Sequence, residues 1–264
     1  MKLITTLQQS HEENPPLVLI HGLGSAATVF KPIIPALLKD FRVITVDLPG
    51  HGQSPFVKGF PMDPQSLGHA IFDSIKSNYG IESFHVAGNS LGGWIALEMA
   101  ASQPDRILSV TGLAPAGLWL EPAASRSPSE ARSYLLAKAF NPLIKTALRI
   151  KSLRKIGFET VSPRWQELSY ETCYDASIAM THCKGYFPAW DGMLNRRFDS
   201  HIPQRVPVTI LFGDTDNTLP LDGSQERSLA PAQAKWLILD SCGHAPMWDH
   251  PEAVVRIIKE VTLK

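Results

Sequence analysis

The sequence predicts an α/β fold: a mostly parallel central sheet flanked by helices, with a helical cap inserted late in the chain. Three observations predict it. Short apolar runs recur along the chain, and each ends in a Gly-rich or polar turn. Helical stretches separate the runs, which is the alternation expected of a parallel sheet covered on both faces. One stretch of about 80 residues has helical patterning and no convincing strand.

The strand candidates are Leu17–Ile20, Arg42–Val46, Phe84–Ala87, Leu108–Leu113, Val208–Phe212 and Trp236–Leu239. They are short and rich in Val, Ile, Leu and Phe, as buried strands are. Asp63-Pro64 starts a helix, with a capping carboxylate and Pro at the first position. It runs to Tyr79 and ends at Gly80. A second helix covers Gly93 to Ser102, with Ile95, Ala96, Met99 and Ala100 at helical spacing, and stops before Pro104. From Gly117 to Ser200 the amphipathic stretches Glu130–Phe140, Leu143–Leu153 and Glu171–Met180 are divided by Pro and Gly. The expected organisation is a core of residues 1–116 and 201–264 with a helical cap of residues 117–200. Such an insertion would lie over the carboxyl ends of the strands, where open α/β sheets bind ligands.

Composition narrows the class. The 264 residues carry 25 basic and 25 acidic side chains, so no global field favours nucleic acid or an anionic membrane as a partner. No apolar run reaches the roughly 18 residues of a membrane span. Met1 to Ser10 lacks the unbroken apolar core of a signal peptide. Cys173, Cys183 and Cys242 form no CxxC pair and read as free thiols of a reducing compartment. A cytoplasmic protein is expected, and no H-x-x-H or H-E-x-x-H pattern calls for a metal or other cofactor.

Gly88-Asn89-Ser90-Leu91-Gly92 matches G-x-S-x-G between a predicted strand and a predicted helix. A turn that tight lifts Ser90 Oγ clear of the sheet and aims a helix N-terminus at the site, where developing negative charge is favoured. Serine needs a base. Of nine histidines, His244 follows the last predicted strand, in Cys242-Gly-His-Ala-Pro246, and so returns to the edge of the sheet that holds Ser90. His21 and His51 sit among glycines and read as loop-shaping residues. An acid must hold the base's tautomer. Asp214 and Asp216 both follow Val208–Phe212; Asp216 is preferred, with Asp214 the alternative. Asp47 reads as a brace for the Gly50–Gly52 loop. The expected oxyanion donors are the backbone N–H groups of Leu91, next to the nucleophile, and of Leu23, in His21-Gly-Leu-Gly.

Together these pieces resemble the α/β-hydrolase superfamily along nearly the whole chain. The resemblance rests on His21-Gly22, Asp47-Leu-Pro-Gly-His-Gly-Gln-Ser54, Gly88–Gly92, Gly213-Asp-Thr-Asp216 with Pro220, and Gly243-His244-Ala-Pro246 followed by His250-Pro-Glu252. The order Ser, Asp, His agrees with that family. Two strands usually precede its His-Gly loop. Only 16 residues precede Leu17 here, so those strands must be short or one is missing. The chain looks like small capped carboxylesterases, which implies a small-molecule ester substrate. It also resembles hydrolases that cleave carbon–carbon bonds in ring-fission products, through Gly88-Asn-Ser, Pro220-Leu-Asp222 and Cys242-Gly-His with Trp248 and His250. It departs from them at Gly22-Leu-Gly-Ser25, where they carry Gly-Gly-Gly-Pro-Gly, and at Ala245, where they carry Trp.

Ester hydrolysis is therefore the first expectation and carbon–carbon hydrolysis the second. A ligand-binding protein on a hydrolase scaffold is the third; a complete set of Ser, His and Asp speaks against it. In the cap, Phe187 and Trp190 are the candidate substrate-binding residues, and Arg196-Arg197 reads as a solvated pair.

Overall fold

The computed structural model describes residues 3–139 and 141–262. The strands are β1 (Thr5–Gln8), β2 (Pro16–Ile20), β3 (Arg42–Val46), β4 (Phe84–Asn89), β5 (Ile107–Leu113), β6 (Val208–Gly213) and β7 (Lys235–Leu239). They form one sheet in the order β1-β3-β2-β4-β5-β6-β7. Among the described residues only the β1–β3 pair is antiparallel, and the other pairs are parallel. Each predicted strand is present within one or two residues. One short strand, β1, precedes β2 among the described residues.

The helices in chain order are α1 (Ile34–Leu37), α2 (Pro64–Tyr79), α3 (Leu91–Ser102), α4 (Pro128–Ala139), α5 (Ile144–Ala147), α6 (Lys151–Phe158), α7 (Tyr170–His182), α8 (Tyr186–Met193), α9 (Leu221–Ser224), α10 (Pro246–Asp249) and α11 (Pro251–Thr262). Asp63 caps α2 as expected, accepting from Ser66 N–H at 3.0 Å, and Gly80 closes it with φ 68°. Only a residue without Cβ adopts that conformation at no cost.

Side chains alternate between two apolar layers, as strand geometry requires. Val18, Ile20, Ile44, Val46, Val86, Ile210 and Phe212 point to the α2–α3 side, with Ile71 and Ile95. Leu17, Leu19, Val43, Ala87 and Leu211 point to the other, with Phe30, Ile33, Val254 and Ile258. Each fully buried Leu or Ile contributes about 1.5–3 kcal/mol, so both layers are needed to hold the sheet.

Residues 117–200 run from β5 to β6 with five helices, α4–α8, and no strand among the described residues. Their two ends are laced together. Phe198 N–H donates to Gly117 O at 2.8 Å, Asn195 N–H to Ala123 O at 2.9 Å, and Arg197 to Leu120 O at 2.9 Å. The expected helix Leu143–Leu153 is broken: the chain is extended at Ile150 (ψ 114°) and starts again as α6. The break brings Phe158 into the same apolar cluster as Ile144 and Leu148. Phe140, the expected end of the helix before it, lies outside the described residues.

Candidate active site

Ser90 joins β4 directly to α3, with φ 56° and ψ −120°. For a residue with a Cβ this backbone costs about 1–3 kcal/mol and persists only where the surroundings over-determine it. They do. Ser90 N–H donates to Leu113 O at 3.0 Å, and its carbonyl accepts from Trp94 and Ala116 N–H at 3.1 and 3.0 Å. The flanking glycines serve close approach, whereas the strain sits on Ser90 itself. A Cβ on Gly88 would stand 2.1 Å from Gly92 O, and one on Gly92 would stand 2.1 Å from Ile20 O.

His244 lies beyond β7 and Asp216 beyond β6, so both reach the carboxyl edge that carries Ser90. His244 Nδ1 is 2.8 Å from Asp216 Oδ2. The pair is buried, with side-chain exposures of 10% and 0%. With Asp216 on Nδ1, that nitrogen carries the proton and Nε2 is left to accept one. Asp216 Oδ1 in turn accepts from Thr218 and Leu219 N–H at 2.9 and 2.8 Å, which fixes the carboxylate. Asp214 makes none of these contacts. It is exposed and accepts from Cys242 N–H at 3.2 Å; despite some desolvation, backbone donors around it hold its carboxyl below the usual range.

Asn89, immediately before Ser90, ties the base to the nucleophile. Its Nδ2 donates to His244 O and to Leu113 O, each at 2.9 Å. Ser90 Oγ and the His244 ring are not hydrogen bonded to each other among the described residues. In free enzymes this contact is often long and closes when substrate binds.

The His21–Ser25 loop abuts the serine. A Cβ on Gly22 would lie 3.0 Å from Ser90 Cβ. Leu23 follows Gly22, and its N–H donates to nothing among the described residues. Leu91 N–H, at the first position of α3, has no intrahelical partner by its position. Both N–H groups are thus unengaged among the described residues, and that of Leu91 adjoins Ser90 at the positive end of a helix dipole.

His21 and His51 are fully buried scaffold residues. His21 Nε2 accepts from Leu48 N–H at 3.0 Å while its Nδ1 donates to Gly22 O at 2.8 Å. Burial lowers its pKa to about 4. Burial, with the neighbouring His21, lowers that of His51 to about 3. Asp47 braces its loop, accepting from Ala27 N–H at 2.8 Å and Gln53 N–H at 2.9 Å.

Sequence reasoning missed the seat of the His244 loop. His244 N–H donates to Val161 O at 2.8 Å. Gly243 N–H donates to Asp249 Oδ2 at 2.7 Å, and Ser162 Oγ–H donates to Asp249 Oδ1. Burial raises the Asp249 carboxyl pKa. The 117–200 segment therefore touches the backbone of the base itself. The only signal for this was an acidic residue five positions after His244, and nothing local could pair it with Ser162.

Phe187 and Trp190 lie on α8, in an aromatic cluster with Tyr134 and Tyr186 against which Leu23 also packs. Trp190 meets Tyr186 edge-on at 5.7 Å. The Phe187 ring carries the Arg126 guanidinium at 4.4 Å on one face. Arg196 and Arg197 remain at the laced ends of the segment, where Arg196 O accepts from Trp119 Nε1 at 2.8 Å.

Comparison with known proteins agrees with this layout. The chain is 26% identical to a pimeloyl-acyl-carrier-protein methyl ester esterase of Aeromonas hydrophila, over 94% of this chain and 95% of that one. It is 28% identical to the protein of the same name from Aromatoleum aromaticum, over 94% and 98%. The enol-lactonase structure from Burkholderia xenovorans superposes with a TM-score of 0.76 at 20% identity, covering 99% of this chain and 96% of that one. A family model described as the alpha/beta hydrolase fold matches residues 15–251. With the sheet order, the strained serine turn and this match spanning most of its length, the chain belongs to the alpha/beta hydrolase fold family.

Proposed function

We propose that the protein hydrolyses a small carboxylic ester through an acyl-enzyme on Ser90. The observation that carries this is the strained Ser90 turn, next to which Asn89 holds the backbone of a His244 whose Nδ1 faces a buried Asp216. The chain is a hydrolase of the esterase kind, as its family and the names of its relatives indicate. Residues 117–200 act as a cap over the site.

Ser90 Oγ attacks the ester carbonyl while His244 Nε2 takes its proton. Asp216 stabilises the imidazolium that forms. The N–H groups of Leu23 and Leu91 receive the oxyanion, and losing one such donor costs about 3 kcal/mol. His244 then returns the proton to the leaving alcohol. Water, deprotonated by the same ring, releases the acid. The aromatic cluster of Trp190 and Phe187 reaches the site through Leu23 and borders the acyl side.

The test is hydrolysis of a nitrophenyl ester series from acetate to decanoate by the wild type and by Ser90→Ala. Serine-dependent turnover with a chain-length optimum is expected. A pure Ser90→Ala variant that keeps more than a few per cent of the rate would refute Ser90 as nucleophile.

A further inference from the structure

The outer layer of the 117–200 segment differs from the rest of the surface. The whole chain balances 25 basic against 25 acidic residues, yet between Ala131 and Phe158 there are seven Lys and Arg and no Asp or Glu. The same stretch exposes Leu135, Leu136, Leu143, Ile150, Leu153 and Ile156. These are six of the fourteen exposed large apolar side chains among the described residues, with Ile156 the most exposed at 71%. Scattered apolar residues need no explanation, but a concentration of them marks an interaction surface.

The fold itself does not use this face. Ile144, Leu148 and Phe158 turn inward, against Trp165, Leu168 and Cys173. Tyr134 turns inward as well, and donates to Cys183 O at 2.7 Å. What stays outside on α6 is Leu153 and Ile156, three apart and so on one side, with the exposed Arg149 four residues before Leu153 and the exposed Lys151 and Lys155 toward the other side of the helix. The nearest acid, Glu159, meets Lys155 only at 3.6 Å between exposed groups.

We propose that the outer face of α4–α6 docks on an anionic lipid surface. Aliphatic side chains standing out from short helices suit insertion between acyl chains, and the surrounding lysines suit anionic headgroups. A basic residue near such a surface contributes about 1 kcal/mol, and the seven basic residues of the stretch outnumber the two acids that bound it, Glu130 in α4 and Glu159. The face is built from the outer sides of helices, which suits a flat bilayer better than a gripped peptide. The contact is interfacial; no described helix is long and apolar enough to cross a membrane. The sequence-level expectation of no membrane partner rested on the net charge of the whole chain, which averages this segment away. This inference is independent of the chemistry assigned to Ser90.

The experiment is flotation of the full chain with vesicles of phosphatidylcholine alone or mixed with phosphatidylglycerol. Binding is expected only to the mixed vesicles, weakening as salt rises. The double variants Leu153→Ser with Ile156→Ser, and Lys151→Glu with Lys155→Glu, should each lower partitioning about tenfold or more. Both should keep the wild-type circular dichroism and the hydrolysis rate on a soluble nitrophenyl ester, because none of the four residues touches Ser90. Absence of flotation at low salt would overturn the proposal. So would folded variants that float as the wild type does. Binding of a soluble acidic protein through this face, with vesicles ignored, would overturn it in favour of a protein partner.

Discussion

The carboxyl edge of the sheet and the 117–200 segment are joined to the core differently: one by a continuous sheet, the other at separated points. At the sheet edge, backbone meets backbone. Gly88 packs on Gly92 and Gly92 on Ile20, with no room for a methyl group. The 117–200 segment meets the core at separated points: backbone at Gly185 N–H on Gly50 O (3.0 Å) and His244 N–H on Val161 O (2.8 Å), buried apolar side chains at Leu118, Ala189 and Phe198, and exposed ion pairs where Lys31 reaches both Glu171 and Asp175 at 2.7 Å. A groove of about 300 Å³ remains along that last seam. Reacting groups carried just past the ends of strands are held by rigid elements, which fixes their geometry more closely than connecting segments would.

The largest expected effect tests the rigid half. Asp216→Asn should lower kcat for a nitrophenyl ester by about 10⁴-fold, since an amide there favours the wrong His244 tautomer. Asp214→Asn, whose side chain braces the turn at Cys242 and does not touch His244, should cost less than about tenfold. Equal losses would erase the distinction between the two carboxylates.

Next come the glycines. Gly92→Ala should destabilise by about 4 kcal/mol or prevent folding, because its Cβ would meet the Ile20 carbonyl at 2.1 Å. Gly157→Ala, in α6 with nothing within 4 Å, should instead raise Tm, by up to about 1 kcal/mol of stability. Chemical denaturation of the two variants puts numbers on the contrast between the regions.

The buried histidines add a pH signature to the core. Their folded pKa values lie below the ordinary 6.5, so the unfolded chain binds more protons between the two values, and stability rises with pH there. The stabilisation is full above about 6.5 and is lost as the pH falls toward about 4 for His21 and about 3 for His51. For His21 the loss is ~3 kcal/mol. Urea midpoints measured from pH 7 to pH 4 should fall, and the fall should be shallower in His51→Gln. The smallest effect belongs to the seam. Lys31→Met removes an exposed pair of ion bridges and should cost at most about 1 kcal/mol, read from the same midpoints.

Much of this was legible in the sequence because the information is local. Asp63-Pro64 and Gly80 carry their own capping chemistry, and alternating apolar runs define strands without reference to any partner. Ser90, Asp216 and His244 each stand just past a predicted strand, so a parallel sheet gathers them at one edge whatever the loops do. The break at Ile150 was not legible, because it depends on where Phe158 can reach a cluster formed with α7. Nor were the atoms that leave no room for a Cβ on the glycines beside Ser90, which depend on how closely Ile20 passes.

The sequence by itself determined the strand–helix alternation, the tight serine turn and the candidate residues of the site, since each follows from a short pattern acting on its own backbone. Only the tertiary structure decided which carboxylate faces His244, that Asn89 spans 155 positions to hold it, and that Asp249 and Ser162 seat its loop. It also decided which apolar residues of the basic stretch turn inward, as Ile144, Leu148 and Phe158 do, and which stand outside, as Leu153 and Ile156 do. Those are contacts between segments far apart in the chain, and their choice among equivalent donors and acceptors is made by packing.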